Sequence, residues 1–278
     1  MSRFIIRRLL VVALVMVALY SAAQSTYQVI TVTNGGTIKG SVKWQGPAAR
    51  LIPSLINKDP EICDPQGEKR RDLERLVVGS NGGVANTVVY LSNITKGKAL
   101  DLPEPRRFLN QKSCRYEPHI LLVPLQGNLQ VKSSDATLHT VHMSGASDYN
   151  LPFPFKDQVI QRTMNRPGLV DLRCNAGHVW MNAEMMVVAH PYYAVTDAEG
   201  NFTLTDVPAG DYEIVAWHEG WKVVGEDSVY DVLSQTRVKR PVFSAPVSWS
   251  KHVSVTGGDS AEVNFTVSER TLETLAGR

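Results

Sequence analysis

LVDLRCNAGHVWMNAEMMVVAH, residues 169–190, decides how the chain folds and what it can hold. A strand-like run ends at Cys174, a return strand carries Met185 and Met186, and the loop between them is CNAGHVWM. That loop sets a thiol (Cys174), an imidazole (His178) and a thioether (Met181) within eight residues, in a chain with only three cysteines. It is either a metal-ligand loop or a core segment that happens to contain those side chains. A Cys closing one strand, with His and Met on the return, converges on a further donor from a neighbouring strand. A further histidine, His139, stands upstream in SSDATLHTV. Thiolate and thioether are soft donors suited to Cu(I), and imidazole also suits Cu(II).

Outward from that loop the pattern is β almost throughout. TIKGSVKW, NTVVYLS, HILLVPL, NLQVKSS, MMVVAHP, NFTLTDV, YEIVAWH and AEVNFTV are short, rich in β-branched and aromatic residues, and separated by Gly, Pro, Asn and Asp turns. KRRDLERLV and DSVYDVL are the two stretches expected as short helices. With no regular strand–helix alternation, the spacing predicts an all-β protein of sandwiches or barrels.

Two resemblances follow from these stretches. YAVTDAEGNFTLTDVPAGDYEIVAWHEGW, residues 193–221, reads as a hairpin with turns at Asp197–Gly200 and Pro208–Gly210. Through Thr196, Asp197, Gly200, Phe202, Val207, Pro208, Gly210 and Tyr212 it resembles the carboxypeptidase regulatory-like, transthyretin-like β-sandwich family. GGTIKGSVKWQGP and ANTVVYL look like that family's opening strands, but they stand about a hundred residues upstream. The stretch from Arg107 to Pro191 resembles a cupredoxin, a Greek-key copper sandwich. The whole chain resembles bacterial exported proteins that combine the two.

The resulting expectation is a cupredoxin-like unit at 107–191, inserted in or in series with a regulatory-like sandwich made of 28–106 and 192–278. The cupredoxin resemblance implies one mononuclear copper held by His139, Cys174, His178 and Met181, with His178 as the solvent-edge ligand. The Cys-x₃-His-x₂-Met spacing is similar to a dinuclear copper loop, but the second bridging cysteine would fall near Val170 and is absent. A zinc reading through His139, Cys174, His178 and another His would leave Met181 unused.

Cys63 (EICDPQGE) and Cys114 (QKSCRYEP) lie in polar, loop-like surroundings, so a disulfide between them is expected, leaving Cys174 over. The alternative for Cys174 is a buried, inert cysteine. His142 and Trp180 are candidates for contact with the ligands: His142 falls on the opposite face of a regular strand, and Trp180 shields the metal or simply packs. His119 and His190 read as structural residues at strand ends, and Trp217 and Trp221 as core.

MSRFIIRRLLVVALVMVALYSAAQ has the basic, apolar and small-residue order of a secretory signal, with cleavage expected after Ala23. This implies a periplasmic or extracellular protein, or a membrane tether if the segment is uncleaved. A net charge of +2 with interspersed signs, and the lack of a phosphate-cradling glycine loop or basic stripe, give no reason to expect nucleic acid as a partner. No Ser/His/Asp set or paired-carboxylate signature points to an enzyme or a small-molecule substrate. The function expected is electron transfer to an unidentified redox partner protein. The alternatives are copper storage or delivery, and a scaffold whose metal site is degenerate.

Overall fold

The computed structural model describes residues 27–47, 49, 51–101, 108–231 and 234–269; the signal-like segment 1–23 lies outside them. Among the described residues the chain is all-β apart from a one-turn helix, α1 (Pro60–Cys63). Neither expected helix forms. Residues 69–77 contain β4 (Arg70–Arg71), paired with β3 (Ser54–Leu55), and then irregular chain. The described part of 227–233 lies in β19 (Val223–Asp231), which pairs with β20 (Thr236–Phe243). Charge explains the second case: Lys239 meets Glu226 at 2.7 Å and Arg240 meets Asp227 at 3.3 Å across the ladder. Such cross-strand pairs favour the extended form over a lone helical turn. α1 opens at Asp59-Pro60, with the proline where a helix leaves its first N–H unpaired.

Two sheets form an inner sandwich around the decisive loop. One has the order β13 (Val159–Thr163), β10 (Asn128–Ser133), β7 (Phe108–Lys112), β8 (Arg115–Glu117). The other runs β12 (Tyr149–Phe153), β11 (His139–Gly145), β14 (Gly168–Arg173), β15 (Asn182–Val188), β9 (Ile120–Pro124). The pairings β10–β7 and β15–β9 are parallel, so the chain crosses between sheets there. Leu109, Tyr116, Leu129 and Val131 from the first sheet pack against Leu121, Val141, Met143, Leu172 and Met185 from the second in one core. Each such aliphatic side chain contributes about 1.5–3 kcal/mol on burial.

Two further sheets form an outer sandwich. One has the order β16 (Tyr193–Val195), β5 (Val88–Leu91), β18 (Gly210–His218), β21 (Val247–Val255). Facing it, β2 (Gly36–Trp44) pairs with β17 (Asn201–Val207), β22 (Ser260–Glu262) and β23 (Phe265–Val267), while β1 (Gln28–Val29) and β6 (Lys96–Gly97) form a small ribbon. Strands that flank residues 107–191 in sequence are neighbours here: Val89 is opposite Ala194, and Val88 is opposite both Val195 and Trp217.

The stretch 193–221 contains the three expected strands, but they are not a hairpin. β16 and β18 both pair with β5, whereas β17 pairs with β2 of the facing sheet. Burial is the reason. Phe202, Leu204 and Val207 fill the core from one side and Ile214 and Ala216 from the other, so each turn carries the chain across the sandwich. Gly200 makes the first crossing with φ +80, and a Cβ there would lie 2.3 Å from the carbonyl oxygen of Val42.

The sandwiches meet through a smaller apolar cluster of Val88, Ile120, Leu122, Val188 and Trp217. β9 is therefore covered on both faces, which is why ILLV reads as a continuous apolar run. Buried polar groups span the same region. Arg75 Nη1 donates to Glu184 Oε1 at 3.3 Å and also to Glu219 Oε2, while His119 Nε2 is paired with Glu219 Oε1. Trp221 sits in the outer core, and no helix among the described residues is long and apolar enough to cross a membrane.

Candidate metal centre

The ligand loop begins where β14 ends and closes where β15 begins. Cys174 follows Arg173 directly, and His139 opens β11, whose His142 is opposite Arg173. The chain turns at Gly177, φ +88, after which Met181 N–H donates to the His178 carbonyl at 3.0 Å. His139, Cys174 and His178 come together: their ligand atoms all lie within 4.8 Å of one another. The two Nδ1 atoms are 3.3 Å apart, and Cys174 Sγ is 3.7 Å from His178 Nδ1. Both imidazoles are fully buried, and Cys174 is 2% exposed.

The remaining nitrogen of each ring is committed to a carboxylate. His139 Nε2 is 2.9 Å from Asp135 Oδ2, and His178 Nε2 is 2.9 Å from Asp59 Oδ2. With Nε2–H donated outward, Nδ1 is the nitrogen each ring offers to the shared centre. Asp135 also accepts the N–H groups of Ser113 and Cys114, at 2.8 Å each. Cys174 Sγ accepts the Thr140 N–H at 3.5 Å.

These contacts reorder the charges. Burial opposes ionisation of Cys174, but hydrogen bonds with His139 and His178 outweigh it and bring the thiol down to about 5. Burial likewise opposes the imidazolium of His139, and hydrogen bonds to Asp135 and Cys174 raise it to about 9. Asp135 and Asp59 are each pushed up by burial, yet end below the usual carboxylate value. Asp135 gives way to its bond with His139, and Asp59 to its bond with Thr137 and then to His178. Both directions favour a thiolate beside an imidazolium, and an ion bound at His139 Nδ1 would displace that proton. A thiolate and two Nδ1 donors, dry and convergent, fit a soft-to-borderline metal ion, with copper and zinc both within the range of the donor set.

The other expected residues fall as follows. Met181 is buried in the same core, 1% exposed, and its assignment as a ligand rests on the loop spacing. Trp180 packs edge-on to His178 with ring centroids 5.4 Å apart, and its Nε1–H donates to the Cys114 carbonyl at 3.1 Å. His142 is half-buried on the opposite face of β11, opposite Asn150 and Arg173. Cys63 and Cys114 form the expected disulfide, and Cys174 is free and buried. The bridged sulfurs lie close to the centre, within 4.8 Å of a His178 nitrogen.

His178 corrects one expectation: it is not at a solvent edge, because Asp59 and Trp180 enclose it. Asp135 and Asp59 are the site residues that sequence reasoning missed. Asp135, four residues before His139 in a turn, was within reach of local reasoning. Asp59, in KDPEIC, lies 119 residues from its partner and carried no local signal.

No family model matches the chain, and no curated protein matches it. Among solved structures it is similar to a copper-containing nitrite reductase from Thermus scotoductus SA-01, at 18% identity and a TM-score of 0.28, over 33% of this chain and 24% of that one. It is also similar to a variant of amicyanin in its Cu(I) form, at 21% identity and 0.27, over 32% and 87%. A purple cupredoxin from Nitrosopumilus maritimus aligns at 14% identity and 0.26, over 29% and 98%. The chain spans about a quarter of the nitrite reductase. Each likeness covers roughly a third of this chain at a TM-score below 0.5, and none bears on the site.

Proposed function

We propose that this is an exported copper protein that transfers electrons, its metal held by His139, Cys174, His178 and Met181 in a cupredoxin-like unit of residues 107–191. On this reading the unit is inserted in a regulatory-like sandwich, the partner is a redox protein, and no substrate is turned over. One observation carries the proposal: a buried thiol and two buried, carboxylate-braced imidazoles converge with their Nδ1 atoms inward. Copper bound there would accept and return one electron. The residues supply the rest. Cys174 and the imidazoles suit both oxidation states. Asp135 orients His139, and the surrounding core excludes water. Met181 favours copper over zinc, for which a thioether is a poor donor.

The full burial of His178 favours a second reading, storage or delivery of copper, in which slow release is the function. Cu(II)-loaded protein is expected to show an intense thiolate-to-copper absorption in the visible region, and Cys174→Ser to abolish it. Retained colour in that variant would rule this site out. Reversible voltammetry supports electron transfer; tight Cu(I) binding with no accessible Cu(II) state supports storage.

A further inference from the structure

We propose that Asp59 is a positioning residue for this centre: carried on a strap outside the ligand loop, it fixes His178 and closes the site to solvent. The role in copper binding rests on the reading above; the geometry of the chain does not. Asp59 stands at the N-cap position of α1, where an aspartate ordinarily accepts N–H groups of the first turn with its side chain. Here that bond is absent. The main-chain oxygen of Asp59 accepts from Ile62 and Cys63 at 3.0 and 2.9 Å, as an N-cap carbonyl does. The backbone is left-handed, φ +46, a conformation that costs a non-glycine residue about 1 kcal/mol or more. With no cap bond of its own, the carboxylate turns to the ligand segments. Its Oδ2 accepts from Thr137 Oγ1 at 2.6 Å and meets His178 Nε2 at 2.9 Å. Thr137 lies two residues before His139, so a single oxygen ties both ligand-bearing segments together.

The strap is clamped at both ends. Cys63 is bridged to Cys114, whose carbonyl also holds Trp180 against His178. Lys58 Nζ is paired with Asp231 Oδ2 at 2.5 Å, and that ion pair lies over Gly177 in the ligand loop. A Cβ on Gly177 would come within 2.6 Å of Asp231 and 2.7 Å of Lys58, so the glycine is what lets the clamp sit down. Strap residues from before residue 107 and a hairpin residue from after 191 therefore cover a loop that belongs to neither. The Asp59 side chain is 28% exposed and His178 is not exposed at all, which makes the carboxylate the outer face of the ligand.

Two consequences separate positioning from simple packing. A carboxylate on Nε2–H orients the ring and places negative charge beside the metal, which favours Cu(II) over Cu(I). Removing the side chain also opens a path to Cys174. The test compares wild type, Asp59→Asn and Asp59→Ala. In metal-free protein, Asp59→Ala is expected to react faster than wild type with a small aromatic disulfide at Cys174, and to lose the Nε2–H form of His178 in nitrogen NMR. Asp59→Asn keeps the shape, so its thiol stays protected while the copper reduction potential rises. Copper loss to a chelator is expected to accelerate ~10- to 100-fold in Asp59→Ala.

Unchanged thiol reactivity and an unchanged His178 tautomer in Asp59→Ala would overturn the proposal, as would an unchanged potential in a folded Asp59→Asn. If Asp59→Ala fails to fold, Lys58→Ala, which releases one clamp and leaves Asp59 in place, is expected to raise thiol reactivity; no rise would count against closure. A chain that binds no copper would sink the copper reading alone, since the two metal-free readouts would still decide what Asp59 does.

Discussion

Gly177 is the residue on which the ligand loop turns. Its φ of +88 suits glycine, and the space a side chain would need is filled by Lys58 and Asp231. Gly177→Ala is therefore expected to cost about 1–3 kcal/mol, seen as a lower urea midpoint. The candidate ligands were legible because their spacing is local: Cys174, His178 and Met181 share one loop, and His139 precedes it in order. The groups that hold them were not. Asp59 reaches His178 only because the fold brings a distant segment over the loop, and nothing in KDPEIC announces it. The burial of His178 was illegible for the same reason, since exposure is a property of what lies on top.

At the scale of elements, strands were legible and their partners were not. Alternation in NLQVKSS and NFTLTDV gives β10 and β17 directly, because a strand with one covered face repeats every second residue. Which sheet a strand joins depends on contacts far away in sequence, so β16, β17 and β18 looked like one meander and instead alternate across the outer core. Of the two expected helices, the second gave way to pairing with β20, while the first holds only the two-residue β4 before irregular chain. β9 shows what the apolar run alone could not: Leu121 enters the inner core and Leu122 the junction between sandwiches. Leu121→Ala and Leu122→Ala are each expected to lose about 2–5 kcal/mol by urea denaturation. The expectation is that only Leu121→Ala disturbs metal uptake, because only Leu121 packs in the core that holds Cys174.

Across the whole molecule, the sandwiches share buried charge as well as apolar surface. Glu184 follows the ligand loop on β15, and burial, with Asp171 beside it, pushes its carboxyl from 4.5 up to about 8. The sign is that of a raised acid. The folded chain binds more protons than the unfolded chain between those values, so the contribution is complete below pH 4.5 and is lost as pH rises through about 8. Glu184→Gln cannot ionise and is expected to flatten the fall in urea midpoint over that window, measured as a series at fixed ionic strength. A variant that keeps the wild-type slope would assign the fall to another group.

The bridge between Cys63 and Cys114 has a bearing on how the molecule is made. Both half-cystines precede Cys174 in the chain, so the staple can close before the thiol it helps to bury has found its place. On the copper reading, a chain oxidised first would take up its ion only through an opening of the finished cover, whereas one metallated first would seal the ion in as it folds.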